Sequence, residues 1–241
     1  MPRVPGMTAL LRVGHKGADG IVTGNTAASF DAALAAGVEM IEFDVLSAHM
    51  DGSGELLVAH DYERLGGVGV PTLGEALTHL RSAPFADVLL DVDLKLPGYE
   101  LRTVAALREA GLLDRALISS MYVSSLRLIR AAEPEVRLGW SVPRVRRDYT
   151  ADPRTRHLAI AIGVAYRAAL PRLAGWAIGT GRCDALMAHW RLVTPALVKA
   201  IAVAGGELYV WTVDDAPQIN HLRGLGVTGV ITNDPRLFAL A

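Results

Sequence analysis

The chain has 241 residues, 51% of them hydrophobic, enough to bury a large core in one α/β barrel. Its 24 basic side chains against 25 acidic ones give a formal charge of -1, which lacks the basic field that non-specific nucleic-acid binding needs. Cys183 is the only cysteine, so an intrachain disulfide and a cysteine-built zinc site are excluded, and a reducing compartment fits.

From the amino terminus, MPRVPGMTALLR holds two prolines and no apolar run of signal-peptide length, so the sequence reads as cytoplasmic. Strand-length apolar runs then alternate with helix-period segments: Leu11 to Gly14, Met40 to Val45, Leu56 to Ala59, Val88 to Leu94, Ala116 to Ser120, Val136 to Val142, Ala185 to Ala188, Leu208 to Val213 and Gly229 to Ile231. Such alternation is the signature of a parallel sheet. Helix signals separate them. Asn25 or Thr26 caps a helix that Gly37 ends, Thr72 and Glu75 form a capping box, and Pro195 after Thr194 opens a helix that Gly205-Gly206 stops. No linker, repeat or low-complexity tract interrupts the chain, which reads as one domain over residues 1–241.

Nine strands are one too many for a (β/α)8 TIM barrel. Parallel neighbours need a crossover of a dozen or more residues, whereas only about ten separate Val45 from Leu56, with Asp51-Gly52-Ser53-Gly54 between them. These two runs therefore form a hairpin, an extension of the second strand that brings His60 back over the rim from which Glu42 and Asp44 emerge. Eight parallel strands remain.

Active sites of such barrels lie at the carboxyl ends of the strands. His15 ends the first strand, Glu42 and Asp44 the second, and Asp93 and Lys95 the next after the hairpin; Trp211 lies near the end of the seventh barrel strand. Strand alternation turns Glu42 and Asp44 to one side, and likewise Asp93 and Lys95, with Phe43 and Leu94 facing the helices. Inward carboxylates repel one another unless a cation sits between them. That cation is either a lysine, Lys16 or Lys95, or a metal; three carboxylates with room for water and phosphate oxygens suit magnesium or calcium. Asp91 points inward one layer deeper and reads as structural. His15 and His60 are titratable rings at the mouth, with Gly14 and Gly17 allowing close approach of a ligand.

In order and spacing these residues resemble the glycerophosphodiester phosphodiesterase family: His15-Lys16-Gly17, Gly24-Asn25-Thr26, Glu42-Phe43-Asp44-Val45, the hairpin to His60-Asp61, Asp93-Leu94-Lys95, Trp211-Thr212-Val213 and Gly229-Val230-Ile231-Thr232-Asn233. The resemblance implies a barrel of the phospholipase C-like kind and metal-dependent hydrolysis of glycerophosphodiesters to an alcohol and glycerol phosphate. It implies one divalent cation on Glu42, Asp44 and Asp93, acid and base roles for His15 and His60, phosphate contacts from Lys16 and Lys95, and a substrate wall at Trp211. Departures from the family pattern are Lys16 for arginine, Asp93 for glutamate, Gly24 for the glutamate of E-N-T, and a short connection after His60-Asp61 that should leave the mouth open.

Two alternatives follow from those departures. One is cleavage of lipid headgroups, as by a lysophospholipase D or sphingomyelinase D. The other is a catalytically silent barrel that binds phosphodiesters. A lysophospholipid substrate and peripheral membrane contact through residues 144–178 are suggested by the apolar stretch from Leu158 to Ile178 and by Arg144, Arg146, Arg147, Arg154 and Arg156 before it. Arg167, Pro171 and Arg172 within that stretch argue against a membrane-spanning helix, and a solvated connecting loop is the plainer reading of the arginines.

Overall fold

The computed structural model describes residues 10–63, 69–144 and 156–241, with the side chains of 156–159 left aside. Arg146, Arg147 and Arg154, and part of the connection after Asp61, lie outside the described residues.

All nine strands read from the sequence form: β1 (Leu11–Gly14), β2 (Met40–Ser47), β3 (Leu56–Leu57), β4 (Leu89–Leu94), β5 (Ala116–Ser120), β6 (Arg137–Val142), β7 (Ala185–His189), β8 (Glu207–Trp211) and β9 (Gly229–Thr232). Eight are parallel and close into a barrel, because β1 pairs with β9 on one side and β2 on the other. The ninth, β3, runs antiparallel to β2, with Leu46 opposite Leu57 and Ser47 opposite Leu56. The helices are α1 (Ala27–Ala35), α2 (Leu73–Leu80), α3 (Glu100–Glu109), α4 (Val123–Ala132), α5 (Arg156–Gly179), α6 (Pro195–Val203) and α7 (Ala216–Leu225). Thr26, not Asn25, caps α1, accepting from the Ser29 amide; Thr72 and Thr194 cap α2 and α6.

Period-two alternation separates two apolar regions. Inward side chains Val13, Met40, Leu117, Ala185, Met187, Tyr209 and Ile231 fill the barrel, while Phe43, Val92, Leu94, Ile118 and Leu186 face the helices. Toward the carboxyl ends the inward positions turn polar: Val13 gives way to His15, Met40 to Glu42 and Asp44, Leu117 to Ser119, and Ile231 to Asn233. The interior therefore changes from an oily plug to a charged mouth within about two residues per strand, roughly 7 Å.

Two loops hold that mouth. In the hairpin, Gly52 has φ +87°, and a Cβ there would sit 2.7 Å from the Gly98 carbonyl oxygen; Arg102 donates to the carbonyls of Gly52 at 2.8 Å and Gly54 at 2.5 Å. Where β2 leaves the barrel, the buried Tyr99 hydroxyl donates to Val45 O at 2.7 Å and accepts from the Leu96 amide at 3.0 Å. This one oxygen joins the ends of β2 and β4 beside Lys95. Tyr99→Phe should leave the Leu96 amide unpaired and Val45 O with only the Lys95 amide at 3.3 Å, and cost about 1–3 kcal/mol, read as a lower urea midpoint at unchanged slope.

Helix α5 has 24 residues, the other helices eight to ten. At about 1.5 Å per residue it is roughly 36 Å long. Arg167 donates to Val193 O just before α6, so the part of α5 preceding Arg167 extends past the carboxyl-end rim. There Ile160 to Ala165 are six consecutive apolar or glycine residues, all exposed. No helix among the described residues is long and apolar enough to cross a membrane.

Candidate active site

A cavity of about 180 Å³ opens at the carboxyl ends of the strands, lined by His15, Glu42, His60, Asp91, Asp93, Lys95, Ser119, Met121, Ser141, Met187, Trp211 and Ile231, among others. Six of the side chains expected from the sequence meet there: His15, His60, Glu42, Asp93, Lys95 and Trp211. Asp44, fully buried, lies against Lys95 at the cavity wall.

Lys16 is placed elsewhere. Its Nζ turns to Asp19 Oδ2 at 3.6 Å, it does not line the cavity, and its own backbone is left-handed at φ 50°. What it contributes to the site is its amide, which donates to Glu42 Oε2 at 2.7 Å. Gly17 makes this turn possible with φ +84° and no room for a Cβ, which would stand 2.6 Å from Ser29. The place where a side chain at Gly24 would lie is filled by Asp19, whose Oδ1 accepts from the Gly24 amide at 2.7 Å. A carboxylate thus stands beside position 24 although the residue there has none.

Register sets the carboxylates side by side, Glu42 opposite Asp91 and Asp44 opposite Asp93. One ligand oxygen each from Glu42, Asp44 and Asp93 lies within 4.8 Å of the others, so these three could hold a metal ion. Lys95 Nζ stands 2.5 Å from both Asp44 Oδ1 and Asp93 Oδ2. Only the Asp93 contact has hydrogen-bond geometry, leaving the buried Asp44 Oδ1 without a donor. Burial would raise Asp44, but Lys95 and His60 outweigh it and hold the carboxyl below its usual range.

Lys95 is one positive charge among several buried carboxyls, and the shortfall shows. Burial, then the Asp44 charge, push Glu42 well above the usual carboxylate range. Burial and Asp93 push Asp91 up to about 8, so it is protonated at neutral pH, and Ser119 Oγ hydrogen-bonds Asp91 Oδ1 at 2.7 Å. A carboxyl that must stay protonated for want of a cation is the electrostatic mark of a cation site. Buried Lys95 is itself held well above its ordinary value by Asp44, Asp93 and Glu42, against the cost of burial.

Three residues not singled out for the site position its groups. Asn25, left-handed at φ 60°, as asparagine tolerates, donates from Nδ2 to Asp44 Oδ2 at 2.9 Å, and its Oδ1 accepts from the Asp44 amide at 3.2 Å. Asn233 Oδ1 lies 2.6 Å from His15 Nδ1, and its Nδ2 donates to Asp214 Oδ2 at 2.6 Å. Since Asp214 fixes which end of the amide faces His15, Nδ1 must carry the ring proton. In the neutral ring Nε2 is then the acceptor, 3.8 Å from Glu42 Oε2. Burial lowers the His15 pKa, more than its bond to Asn233 restores, so the ring is neutral at pH 7. His60 is different in kind: its side chain is 47% exposed and its Nδ1 lies 3.1 Å from Asp61 Oδ2.

Trp211 Nε1 donates to Met187 O at 2.9 Å, and His189 packs edge-on to its ring at 5.2 Å. Extending the inward count along every strand marks Ser119, Ser141, His189 and Asn233; the sequence signal was present in that alternation.

This arrangement belongs to a known family. Residues 15–88 and 95–237 match the glycerophosphoryl diester phosphodiesterase family. The chain is a member of that family, and so of the phosphoric diester hydrolases. It is 25% identical to a glycerophosphodiester phosphodiesterase of Caldanaerobacter subterraneus subsp. tengcongensis, over 93% of this chain and 94% of the relative. The crystal structure of a glycerophosphodiester phosphodiesterase from Agrobacterium tumefaciens superposes with a TM-score of 0.69 at 20% identity, covering 97% of this chain and all (100%) of the other. An Oleispira antarctica phosphodiesterase in complex with its product sn-glycerol-3-phosphate superposes with a TM-score of 0.67 at 22% identity, covering 96% of each chain. These likenesses fit the closed eight-stranded barrel.

Substitution of Asn233 by alanine should free the His15 ring to adopt either tautomer. A fall in kcat of roughly 10–100-fold, the size usual for losing such an orienting partner, with a melting temperature near that of the unaltered chain, is the expected result.

Proposed function

We propose that this enzyme hydrolyses glycerophosphodiesters to an alcohol and glycerol phosphate, with a divalent cation held by Glu42, Asp44 and Asp93, and with His15 and His60 as the proton carriers. The observation that carries the reading is the convergence of two histidines on a buried carboxylate cluster whose single lysine leaves it short of positive charge. All-oxygen donors favour Mg²⁺ or Ca²⁺. When bound, such an ion supplies charge stabilisation to a phosphodiester's non-bridging oxygens and lowers the pKa of an attacking hydroxyl.

The protein's groups divide the remaining work. Lys95 offsets part of the cluster's charge and offers a cation at the cavity wall, while Trp211 forms an apolar side against which a glycerol or headgroup carbon skeleton rests. His15, neutral with Nε2 turned inward, is suited to take a proton from the attacking oxygen. His60 on its hairpin is suited to give one to the leaving alcohol. Lys16 acts through its amide on Glu42, not through a phosphate contact.

A second reading, cleavage of lysophospholipid headgroups with peripheral lipid contact, is favoured by the exposed Ile160–Ala165 turn standing past the rim on the substrate side. Arg144, stacked over Tyr122 at 4.2 Å, gives that side of the rim a cation. Comparing turnover of glycerophosphocholine and lysophosphatidylcholine separates the two readings: preference for the lipid would displace the first.

Activity should be lost on thorough chelation and return with Mg²⁺ or Ca²⁺, and Asp93→Ala should raise the metal concentration needed for half-activity at least tenfold, the loss of one charged ligand. Survival of turnover in both His15→Ala and His60→Ala would sink the acid–base assignment. His15 must be deprotonated to accept, and burial lowers its pKa, as a bound cation would. The acid limb of kcat/KM should therefore have its midpoint below 6.5, the ordinary histidine value.

A further inference from the structure

A second cavity, larger than the first at about 480 Å³, lies outside the barrel between α4 and α5. Among the described residues it shares no lining side chain with the mouth. Its walls are Val123 and Leu126 of α4, Leu173 and Trp176 of α5, and Trp140 of β6 as floor. Helices of such barrels normally cover the sheet; α5 packs chiefly on α6, and the gap on its other side leaves Trp140 only partly buried. Trp176 is 55% exposed and Leu173 44%, so α5 turns apolar side chains toward the gap.

The charges around the cavity say what covers it. Arg127, Arg130 and Arg182 line it, and among the described residues no acidic one does. Arg130 is committed to Asp184 at 2.5 Å. Arg127 and Arg182 have no carboxylate partner among the described residues, and the Arg182 guanidinium stacks over the Trp176 ring at 4.2 Å. Arg182, Arg130 and Thr180 all gather at one end of the cavity, where α4 and α5 finish, while Val123 and Leu126 belong to the start of α4. That end is cationic, Arg127 stands midway along α4, and the start of α4 is apolar.

A second copy of the chain is a poor occupant, because a two-fold contact would press one arginine-lined groove onto another. A bilayer is a poor occupant of a recess between two helices. Its volume is that of a small-molecule site. We infer that the groove between α4 and α5 binds a single-chain anionic amphiphile, its alkyl tail along Val123, Leu126, Leu173 and the two tryptophans, its anionic head toward Arg127 and Arg182. The inference is independent of what the barrel mouth hydrolyses.

Dodecanoate below its micellar concentration is the probe, with binding read from tryptophan emission and by calorimetry. Saturable binding of one dodecanoate per chain is expected, with dodecanol weaker and dodecylammonium weaker still. The double substitution Arg127→Glu, Arg182→Glu should weaken dodecanoate at least tenfold, as for losing a charge-assisted contact. Leu173→Glu, at an exposed position and checked for folding by circular dichroism, should abolish binding. Equal binding of dodecylammonium, binding unchanged in either variant, or no saturable binding would overturn the inference. So would a dimer in solution that Leu173→Glu dissociates, since the groove would then be an interface between copies.

Discussion

The ammonium of Lys95, 2.5 Å from Asp44 and from Asp93, is the contact on which the mouth of this barrel depends. Carboxylates taken out of water are costly unless paired, and here Glu42, Asp44 and Asp91 are all buried. One lysine stabilises two of the charges, Asp91 remains a protonated acid, and Glu42 is held well above the usual carboxylate range. The barrel tolerates this because the cluster is confined to its last inward layer, above a packed apolar plug. The same shortage makes the layer receptive to a cation, and a cation there would release protons from the acids it displaces.

Much of this was legible in the sequence. Period-two alternation put Glu42 with Asp44 and Asp93 with Lys95, and the short Asp51-Gly52-Ser53-Gly54 connection forced the hairpin that returns His60. Lys16 was less legible. Its neighbours suggested a phosphate contact, but a left-handed backbone at residue 16 turns its side chain to Asp19, and pattern alone does not reveal a dihedral angle. Asn25 could be read as a helix cap; that Thr26 takes the role and leaves Asn25 to Asp44 depends on three-dimensional approach across 19 positions. The partnership of His15 with Asn233 and Asp214 joins opposite ends of the chain through barrel closure, beyond the reach of local spacing.

Gly24 shows how a motif and a site can differ. The family pattern has a carboxylate at this position, and the chain has none there. Yet Asp19 occupies the space a side chain would take and engages Lys16. The position of charge in the loop is preserved by another residue, so a missing motif letter is weak grounds for doubting the chemistry.

The two histidines hang on supports of unequal firmness. His15 ends a strand inside the closed barrel, its ring tied to Asn233. His60 follows a two-residue strand past the end of the barrel part of β2, held by two ladder positions, by the Leu57–Thr72 bridge, by the Val58 amide donating to Pro71 O, by Tyr62 donating to Ser47 O and by Arg102. Leu56, Val58 and Ala59 are buried beneath it, while the His60 side chain itself stands in solvent. Under the proposed acid–base roles, one proton carrier belongs to the barrel wall and the other to an appendage of it, so the two can be altered separately, the first at the cost of the closed barrel and the second without touching its strands.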